Sequence, residues 1–398
     1  MSDKLTLKDL DPAGKRVFVR VDFNVPLRDG RVADDRRIRE SIPTIRWLLD
    51  HGGMPVLASH LGRPKGKPVP GMSLRPAADA LAARLGAPVR FAADCVGPAA
   101  EQAAAALAPG EVLLLENLRF HPEEEKNDSG FARALASPYA LYVNDAFGSA
   151  HRAHASTEGI CRFLPSAAGL LMEREIAALA RLLGGAARPY WTILGGAKVS
   201  DKIPLVENLL PKVDGFVVGG AMAYTFLKAQ GIPVGASRVE EAQVGFAGEL
   251  LARAAAAGVR ILLPVDHVVL PVDLEAPEAA APTPGAAIPE GTRGVDIGPA
   301  SARAFASALR EARTILWNGP LGWFEKPPFD RGSRAVAEAV AESSAFSVIG
   351  GGDTAAAVAE FGLDTRFGHV STGGGASLEF LSGLTLPGVA ALTDRTPR

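Results

Sequence analysis

The chain has 398 residues, of which 47% are hydrophobic and 6% aromatic, and its formal net charge is −2. This length suits two or three domains of ordinary α/β composition, and the charge gives no reason to expect nucleic acid or an anionic membrane as partner. The two cysteines, Cys95 and Cys161, lie far apart and outside any metal-binding spacing, which argues against a disulfide framework or a zinc site.

Short apolar runs, each ending in a polar or glycine-rich turn, recur along the whole chain. They are rich in Val, Ile and Leu and show little alternation, which is typical of parallel strands buried on both faces. Stretches with 3.6-residue periodicity, such as 76–85 and 333–342, predict helices between them. Strand–loop–helix units repeated this often predict an α/β fold with doubly wound parallel sheets.

The division between two domains is predicted near the amphipathic stretch 169–185, which ends in a glycine pair. A helix at this place is either a hinge or a rigid connector, because helix ends can absorb dihedral changes. The sequence then gives a first domain over 1–168, a second over 186–380, and a tail, 381–398, that packs on an existing domain. The Pro- and Ala-rich stretch 271–292 is expected to be a surface excursion.

No signal peptide is recognisable at the N-terminus, and no apolar run approaches the ~20 residues of a membrane span. We therefore expect a cytoplasmic protein without a membrane partner.

Loops of the first half carry cations at the predicted strand ends. The members are Arg20, Arg36, Arg37, His60, Arg63, Lys65, Lys67, Arg119, His121, His151, Arg152 and His154. If the strands are neighbours, these groups converge on one crevice, where guanidinium forks would bind carboxylate or phosphate. Asp22 and Asn24 add acceptors for a hydroxyl group. The alternative is a solvated basic rim without a ligand.

Loops of the second half are rich in glycine instead. LGGAKVSDK places a glycine pair at a strand end and a lysine on the first helical turn, where helix amides and the lysine would bind an anion. IGGGDTA is a second such turn, with Asp353 placed to reach Mg²⁺ and Thr354 to cap the helix, and STGGGAS is a third. Close helix–strand packing also selects glycine, but one polyphosphate touching several turns explains all three. Glu325 follows another strand, where it is either a ribose ligand or a surface acid.

The two sets of loops predict an acid facing a magnesium nucleotide. No nucleophile motif is present, and Cys and His do not cluster with metal-ligand spacing. Phosphoryl transfer fits these sites, because positioning and charge neutralisation do most of its work. A carboxylate acceptor would need no general base, since it is already ionised at neutral pH.

Eight motifs in order carry a resemblance to the phosphoglycerate kinase family: RVDFNVP, SHLGRP, ENLRFHPEEE, NDAFGSAHRAH, LGGAKVSDKI, NGPLGWFE, GGGDT and STGGGAS. The match covers nearly the whole chain. The resemblance implies reversible transfer between 1,3-bisphosphoglycerate and ADP, giving 3-phosphoglycerate and ATP, with Mg²⁺. It also implies a monomer of two Rossmann-like domains with three α/β/α layers, joined by a hinge helix. The N-terminal domain would bind the acid and the C-terminal domain the nucleotide, with the C-terminal tail returning to the N-terminal domain.

The resemblance also implies roles for single residues. It implies that the acid is bound by the motif residues Asp22, Phe23, Asn24, Arg37, His60, Leu61, Gly62, Arg63, Arg119 and Arg152. It implies that the nucleotide is bound by Lys198, Lys202, Gly219, Gly220, Gly294, Glu325, Gly351, Gly352, Asp353 and Thr354, with Asp353 also a ligand of Mg²⁺. It assigns catalysis to Arg37, Lys198, Gly373 and Gly374. Arg37 is favoured over Arg36 because it directly precedes Ile38.

Two positions depart from the family pattern, Trp323 between Gly322 and Phe324, and His267 in an otherwise apolar run. Neither replaces a motif residue to which the resemblance assigns a role. Two other readings remain open. A nicotinamide-linked dehydrogenase would need a G-x-G-x-x-G turn after the first strand with an acidic partner ~20 residues on, which the sequence lacks. A non-catalytic phosphate- or nucleotide-binding protein could use the same fold.

Overall fold

The computed structural model describes residues 3–395. This part of the chain divides into two compact units. The first extends to Ala177 and takes in the segment from Thr385 onward, and the second is Ala178–Leu384.

The first unit is built on one parallel sheet. Its strands and the short hairpin β2–β3 are β1 (Arg16–Arg20), β2 (Leu27–Arg28), β3 (Arg31–Val32), β4 (Met54–Ala58), β5 (Val89–Phe91), β6 (Val112–Leu114), β7 (Leu141–Asn144) and β8 (Ser166–Ala168). Its helices up to this point are α1 (Arg36–Asp50), α2 (Arg75–Leu85), α3 (Gly97–Ala105), α4 (Pro122–Glu125) and α5 (Ser129–Ala136). The sheet order is β5-β6-β4-β1-β7-β8, and every neighbouring pair is parallel.

Apolar side chains explain why these strands lie at the centre. Val17, Phe18 and Val19 of β1 are all fully buried, as expected for a parallel strand covered on both faces. Helix α2 shows how the local sequence sets the boundaries. Pro76 lies in its first turn, and Gly86 ends it with a left-handed φ of 69°, a conformation that glycine adopts without steric cost.

Helix α6 (Leu170–Gly184) crosses the boundary between the units, and the second unit follows it. The strands are β9 (Tyr190–Leu194), β10 (Gly215–Val218), β11 (Arg260–Leu262), β12 (His267–Pro271), β13 (Ala281–Pro282), β14 (Thr292–Ile297), β15 (Thr314–Asn318), β16 (Phe346–Gly350) and β17 (His369–Val370). The helices are α7 (Ile203–Leu209), α8 (Met222–Ala229), α9 (Val244–Ala256), α10 (Pro299–Arg310), α11 (Arg331–Glu342), α12 (Gly352–Glu360) and α13 (Gly374–Leu381). Helix α14 (Pro387–Ala390) belongs to the first unit again.

The main sheet of the second unit has the order β11-β10-β9-β15-β16-β17, and all its neighbours are parallel. Numbered by appearance within the sheet, this is the doubly wound order 3-2-1-4-5-6, in which helices cover both faces. A small antiparallel sheet, β13-β12-β14, accompanies it. The predicted α/β fold with two parallel sheets is confirmed.

Several local predictions are borne out and others need correction. The stretch 271–292 is mostly exposed, as expected, but it also contains β13. The β2–β3 hairpin and the antiparallel sheet were not predicted. No helix in the described part of the chain is both long enough and apolar enough to cross a membrane.

In each sheet, two neighbouring strands lead to connections that run in opposite directions: β1 and β7 in the first sheet, and β9 and β15 in the second. Ligands of open α/β sheets bind beyond the carboxyl ends of the strands at such a point. The loops after these four strands are therefore where the site of each unit is expected.

Candidate active site

The crevice of the first unit, named here the acid crevice, is formed by the loops after β1, β4 and β7 and the 3-10 turn Leu118–Phe120. Asp22 lies at its base, 8% exposed, and its Oδ2 is 2.6 Å from Arg37 Nη1 at the start of α1. Burial alone would raise the pKa of Asp22, but the neighbouring charge of Arg37, with a smaller contribution from Arg20, lowers it to about 2. Asp22 is therefore ionised at neutral pH and orients Arg37. Arg36 makes no such contact, so the geometry agrees with the preference for Arg37.

Asn24 and Gly62 join the first two loops of the crevice. Asn24 Oδ1 accepts from the Gly62 amide at 2.9 Å, and the Gly62 carbonyl accepts from Arg119 Nη1 at 2.9 Å. Arg119 is only 3% exposed, and burial lowers its pKa to about 10, so it still carries a charge at neutral pH. These bonds fix the loops before any ligand arrives.

His60 is 4% exposed and lies among positive charges. Its Nδ1 is 3.3 Å from Arg20 Nη2. Burial, followed by Arg20, Arg119 and Arg152, lowers its pKa well below the usual value, against the opposing charge of Asp22. A neutral imidazole suits a hydrogen-bond donor rather than an acid.

The remaining predicted acid ligands are placed in different ways. Arg63 is exposed and has no ion pair within the described residues. Arg152 is half-buried, and its Nε donates to His151 Nε2 at 3.2 Å. The side chains of Phe23 and Leu61 belong to the hydrophobic core of the unit, so only their backbone groups can face a ligand.

One residue of the basic set, His121, lies away from the other cations. His121 pairs with Asp94 at 2.7 Å instead of facing the crevice. The donor atoms of Asp94, Cys95 and His121 lie within 4.8 Å of one another, although the sequence showed no Cys–His cluster. The fold brings β5 beside β6 and so joins residues that are far apart in the chain.

Glycine loops form the floor of the second unit's site, at the reversal point beside β9 and β15. The Gly195 amide donates to the Asn318 carbonyl and the Gly196 amide to the Pro320 carbonyl, both at 2.9 Å. A Cβ at Gly195 would lie 2.2 Å from the Pro320 oxygen, and one at Gly220 would lie 2.7 Å from the Gly196 nitrogen. These glycines are required because the loops pack backbone against backbone.

A cleft of about 510 Å³, named here the nucleotide cleft, opens above these loops. Four predicted nucleotide ligands line it: Gly220, Gly294, Glu325 and Asp353. Glu325 and Asp353 are exposed, and no hydrogen bond or ion pair holds either carboxylate within residues 3–395. Gly294 admits the ring of Tyr224, since a Cβ there would lie 2.1 Å from Tyr224 Oη. The volume is of the size that suits a small organic ligand.

Three other residues that were predicted to bind the nucleotide, Lys198, Lys202 and Gly219, are not among the residues that line this cleft. Lys198 is exposed and lies before a 3-10 turn, Ser200–Lys202, so it is not on the first turn of a helix as predicted. Pro204 stands in the first turn of α7 and fixes the helix start at Ile203, later than expected. Lys202 Nζ donates to Asn318 Oδ1, and burial lowers its pKa. Gly219 is held against Leu321.

The two glycine turns after β16 and β17 open helices as predicted. Gly351, with φ 91°, precedes α12, which begins at Gly352, and Gly373 precedes α13, which begins at Gly374. Thr354 does not cap α12, because its Oγ1 accepts from the Gly319 amide at 2.6 Å. Thr354 therefore ties α12 to the loop after β15.

Sequence reasoning missed three side chains that line the nucleotide cleft, Tyr224, Arg238 and Arg293. Arg238 and Arg293 lie away from the strand ends of the parallel sheet, so the strand–loop–helix pattern gave no signal for them, whereas Tyr224 lies in the first turn of α8 after β10. Trp323 also lines the cleft and stacks on Phe329 with ring centroids 6.2 Å apart. His267 is fully buried, with its ring centroid 5.5 Å from that of Tyr224, and burial lowers its pKa to about 4.

Asp353 suits a hard divalent cation, because an exposed carboxylate without a protein partner is the kind of ligand that Mg²⁺ prefers beside phosphate oxygens. A larger cavity of about 720 Å³ lies beside α10 and α11. It contains no predicted site residue and is lined mainly by Ala, Pro and Gly, so its size does not make it the reaction site.

Comparisons with known proteins agree on one family. The family model described as phosphoglycerate kinase matches residues 7–384. A phosphoglycerate kinase of Moorella thermoacetica is 58% identical over 393 residues, covering 98% of this chain and 100% of the relative. One of Solibacter usitatus is 56% identical and covers 98% of this chain and 99% of the relative. The structure of phosphoglycerate kinase from Coxiella burnetii aligns with a TM-score of 0.86 at 39% identity, over 98% of each chain.

Proposed function

Because the chain belongs to the phosphoglycerate kinase family, we propose that its two sites divide the family's reaction between them. The chain catalyses reversible phosphoryl transfer between 1,3-bisphosphoglycerate and ADP, giving 3-phosphoglycerate and ATP. The acid crevice would hold the glycerate, and the nucleotide cleft would hold ATP or ADP. The observation that carries this division is the separation of paired guanidinium groups in one unit from glycine-backbone loops in the other.

In the acid crevice, Arg119, Arg152 and Arg63 would bind the phosphate and carboxylate oxygens through charge-assisted hydrogen bonds. Asp22 and Asn24 would accept the hydroxyl of the glycerate. Asp22 is already ionised and paired with Arg37, so binding would require little rearrangement.

In the nucleotide cleft, Glu325 would accept ribose hydroxyls, and the loops at Gly219, Gly220 and Gly294 would border the base. Asp353, with the nucleotide phosphates, would hold Mg²⁺, which neutralises phosphate charge when bound. The amides at Gly351 and Gly352 and the Lys202 ammonium would face the phosphates.

The transfer itself is proposed to be direct and in line. Arg37, Lys198 and the amides at Gly373 and Gly374 would stabilise the charge of the migrating group, which is the main contribution a protein makes to this reaction. No residue needs to act as base, since the acceptor carboxylate is ionised. We further propose that the two units close on their ligands, with α6 as hinge, and that the protein is a cytoplasmic monomer.

A coupled assay tests this function. The purified chain should convert 3-phosphoglycerate and ATP to products with Mg²⁺ present, and lose activity when Mg²⁺ is chelated. Glycerate without its phosphate should react far more weakly, because the arginines would lose their main partner. Absence of ATP-dependent turnover would favour the non-catalytic alternative, and turnover unaffected by chelation would contradict the role given to Asp353.

A further inference from the structure

A chain of four buried polar residues lies beneath the acid crevice. It runs from Glu124 on α4 through Ser156 and Arg20 to His60, and their exposed fractions are 0%, 0%, 0% and 4%. Ser156 Oγ is 2.6 Å from Glu124 Oε1, Arg20 Nε is 2.8 Å from Ser156 Oγ, and Arg20 Nη2 is 3.3 Å from His60 Nδ1. Only His60 at the end of this chain belongs to the predicted acid ligands.

The chemistry of these groups fixes the direction of each hydrogen bond. A guanidinium only donates, so Ser156 Oγ must accept from Arg20 and give its own proton to Glu124. The Ser156 amide also donates to Glu124, at 2.9 Å. By the same rule, His60 Nδ1 must be the acceptor of Arg20 Nη2. An unprotonated Nδ1 leaves the single proton of a neutral imidazole on Nε2.

We propose that Glu124 and Ser156 are positioning residues, which hold Arg20 so that His60 is kept as the neutral tautomer with its proton on Nε2. That N–H would donate to an oxygen of the anionic acid. The proposal rests on the proposed function of the acid crevice. Under it, Glu124 and Ser156 act on the acid indirectly, through Arg20 and His60, and do not contact the ligand themselves.

Burial of Glu124 has a clear reason under this proposal. A fully buried arginine needs a counter-charge, since an unpaired buried charge is very costly. Glu124 supplies it through Ser156, so Arg20 need not pair with Asp22, which remains available for Arg37. Arg20 Nη1 is satisfied separately by the Val21 carbonyl at 2.5 Å. All three nitrogens of its guanidinium are therefore held.

The neighbours of His60 keep it neutral. Charged groups face it from β1 (Arg20), the loop after β1 (Asp22), the 3-10 turn after β6 (Arg119) and the loop after β7 (Arg152). Burial and the three arginines outweigh Asp22 and lower the pKa of His60. A neutral donor adds a hydrogen bond without adding further positive charge to an already basic crevice.

The tautomer can be read directly by NMR of the full-length protein labelled with ¹⁵N-histidine. The chain has seven histidines, and the His60 signals are assigned by their loss in His60→Gln. We expect Nε2–H for His60 in the wild type and in Glu123→Gln, a control on the same helix. In Ser156→Ala and Glu124→Gln, we expect a shift toward a mixed tautomer population. A wild type with Nδ1–H, or a Ser156→Ala protein with an unchanged tautomer, would overturn the proposal.

Kinetics provide the second readout. Ser156→Ala should raise the KM for 3-phosphoglycerate by roughly tenfold, the usual effect of weakening one hydrogen bond to a charged group, while the KM for ATP stays unchanged. His60→Gln, whose amide can donate near the Nε2 position, should retain more acid affinity than His60→Asn. Equal losses in these two variants would contradict the Nε2–H donor.

The two readouts separate this proposal from the function on which it rests. An inactive wild type with Nε2–H at His60 would count against the proposed function alone. An active wild type with Nδ1–H would count against the positioning role alone. Should Glu124→Gln fail to fold, the wild-type spectrum and Ser156→Ala still decide the question.

Discussion

Charged residues are held in opposite ways at the two sites. In the acid crevice, Arg20, Asp22 and Arg119 are buried and already paired with protein groups. Around the nucleotide cleft, Lys198, Glu325 and Asp353 are exposed, and within residues 3–395 their side chains form no hydrogen bond or ion pair. The first set is held in place by the protein itself, whereas we expect the second to be held by its ligand. Removal of a residue should therefore have different consequences at the two sites.

Lys198→Ala should lower turnover by about two to three orders of magnitude, the usual effect of removing one transition-state donor. Its affinity for 3-phosphoglycerate should stay close to normal, because Lys198 belongs to the other unit. Steady-state kinetics and acid binding by calorimetry measure both quantities. The control is Lys228→Ala, which removes an exposed lysine paired with Glu241 and should leave turnover unchanged. Near-normal turnover in Lys198→Ala would refute the assigned role.

Arg63→Ala and Arg152→Ala should each weaken binding of 3-phosphoglycerate by roughly tenfold or more, since each removes a charge-assisted bond to the acid. Nucleotide affinity should not change. Arg36→Ala is the matched control, because Arg36 stands beside Arg37 but lacks its contact with Asp22. Unchanged acid affinity in both variants would mean that the arginines are a solvated rim rather than a binding site.

Single site residues could be predicted from the sequence when they lie close to the end of a parallel strand. Asp22, Gly220 and Asp353 could be named because each lies in a turn after a parallel strand, where motif and topology agree. Arg238 and Arg293 could not, since they reach the nucleotide cleft from segments around the small antiparallel sheet. A contact made by tertiary folding leaves no periodic trace in the sequence.

Elements were predicted best where they repeat. The helices α2, α6 and α11 lie within two residues of the predicted ranges, because long periodic patterns give the clearest signal. The β2–β3 hairpin was missed, although Asp29 and Gly30 at its turn both have positive φ, 52° and 71°. An Asp-Gly pair is the usual signal for such a hairpin, but its strands have only two residues each.

Helix α6 begins on a buried carboxylate. Asp145 Oδ1 accepts from the amides of Leu171 and Met172 at 2.9 and 3.3 Å, while its Oδ2 is buried without a hydrogen bond. Burial raises the pKa of Asp145 from 3.8 to about 7, against the lowering effect of the neighbouring Thr44 hydroxyl and of these two amides. The folded protein then binds more protons than the unfolded chain between these two values, so its free energy of unfolding should fall as pH rises from 4 to 7.

Asp145→Asn should remove this dependence, because an amide keeps the acceptor for the two helix amides but does not ionise. The free energy of unfolding of Asp145→Asn, minus that of the wild type, should rise with pH across this window by up to about 4 kcal/mol and then level off. Urea unfolding at several pH values measures it. The control is Asp50→Asn, a substitution of an exposed residue, and its difference from the wild type should show no such rise with pH. A difference independent of pH would show that Asp145 does not titrate there.

At the scale of the whole molecule, the division into two units places the acid ligands and the nucleotide ligands on separate bodies. Phosphoryl transfer requires the two reacting oxygens to meet in line, so the proposed reaction needs ligands held by both units. The fold class could be predicted from the repeated strand–loop–helix pattern. The exact boundary between the units, between Ala177 and Ala178 inside α6, could not be predicted, because a continuous amphipathic helix has no break in its sequence.

Closure on both ligands should therefore be measurable in solution. Small-angle scattering of the protein with 3-phosphoglycerate and a non-hydrolysable ATP analogue, with Mg²⁺, should give a smaller radius of gyration than with either ligand alone, because only the pair lets charges of both units share one phosphate chain. Exclusion of water from the closed site would limit hydrolysis of the acyl phosphate. Lys198→Ala provides the critical control, since its acid and nucleotide should still bind while the closed form loses one of its contacts. A radius that does not change with both ligands bound would mean that transfer occurs without closure, and α6 would then be a rigid connector.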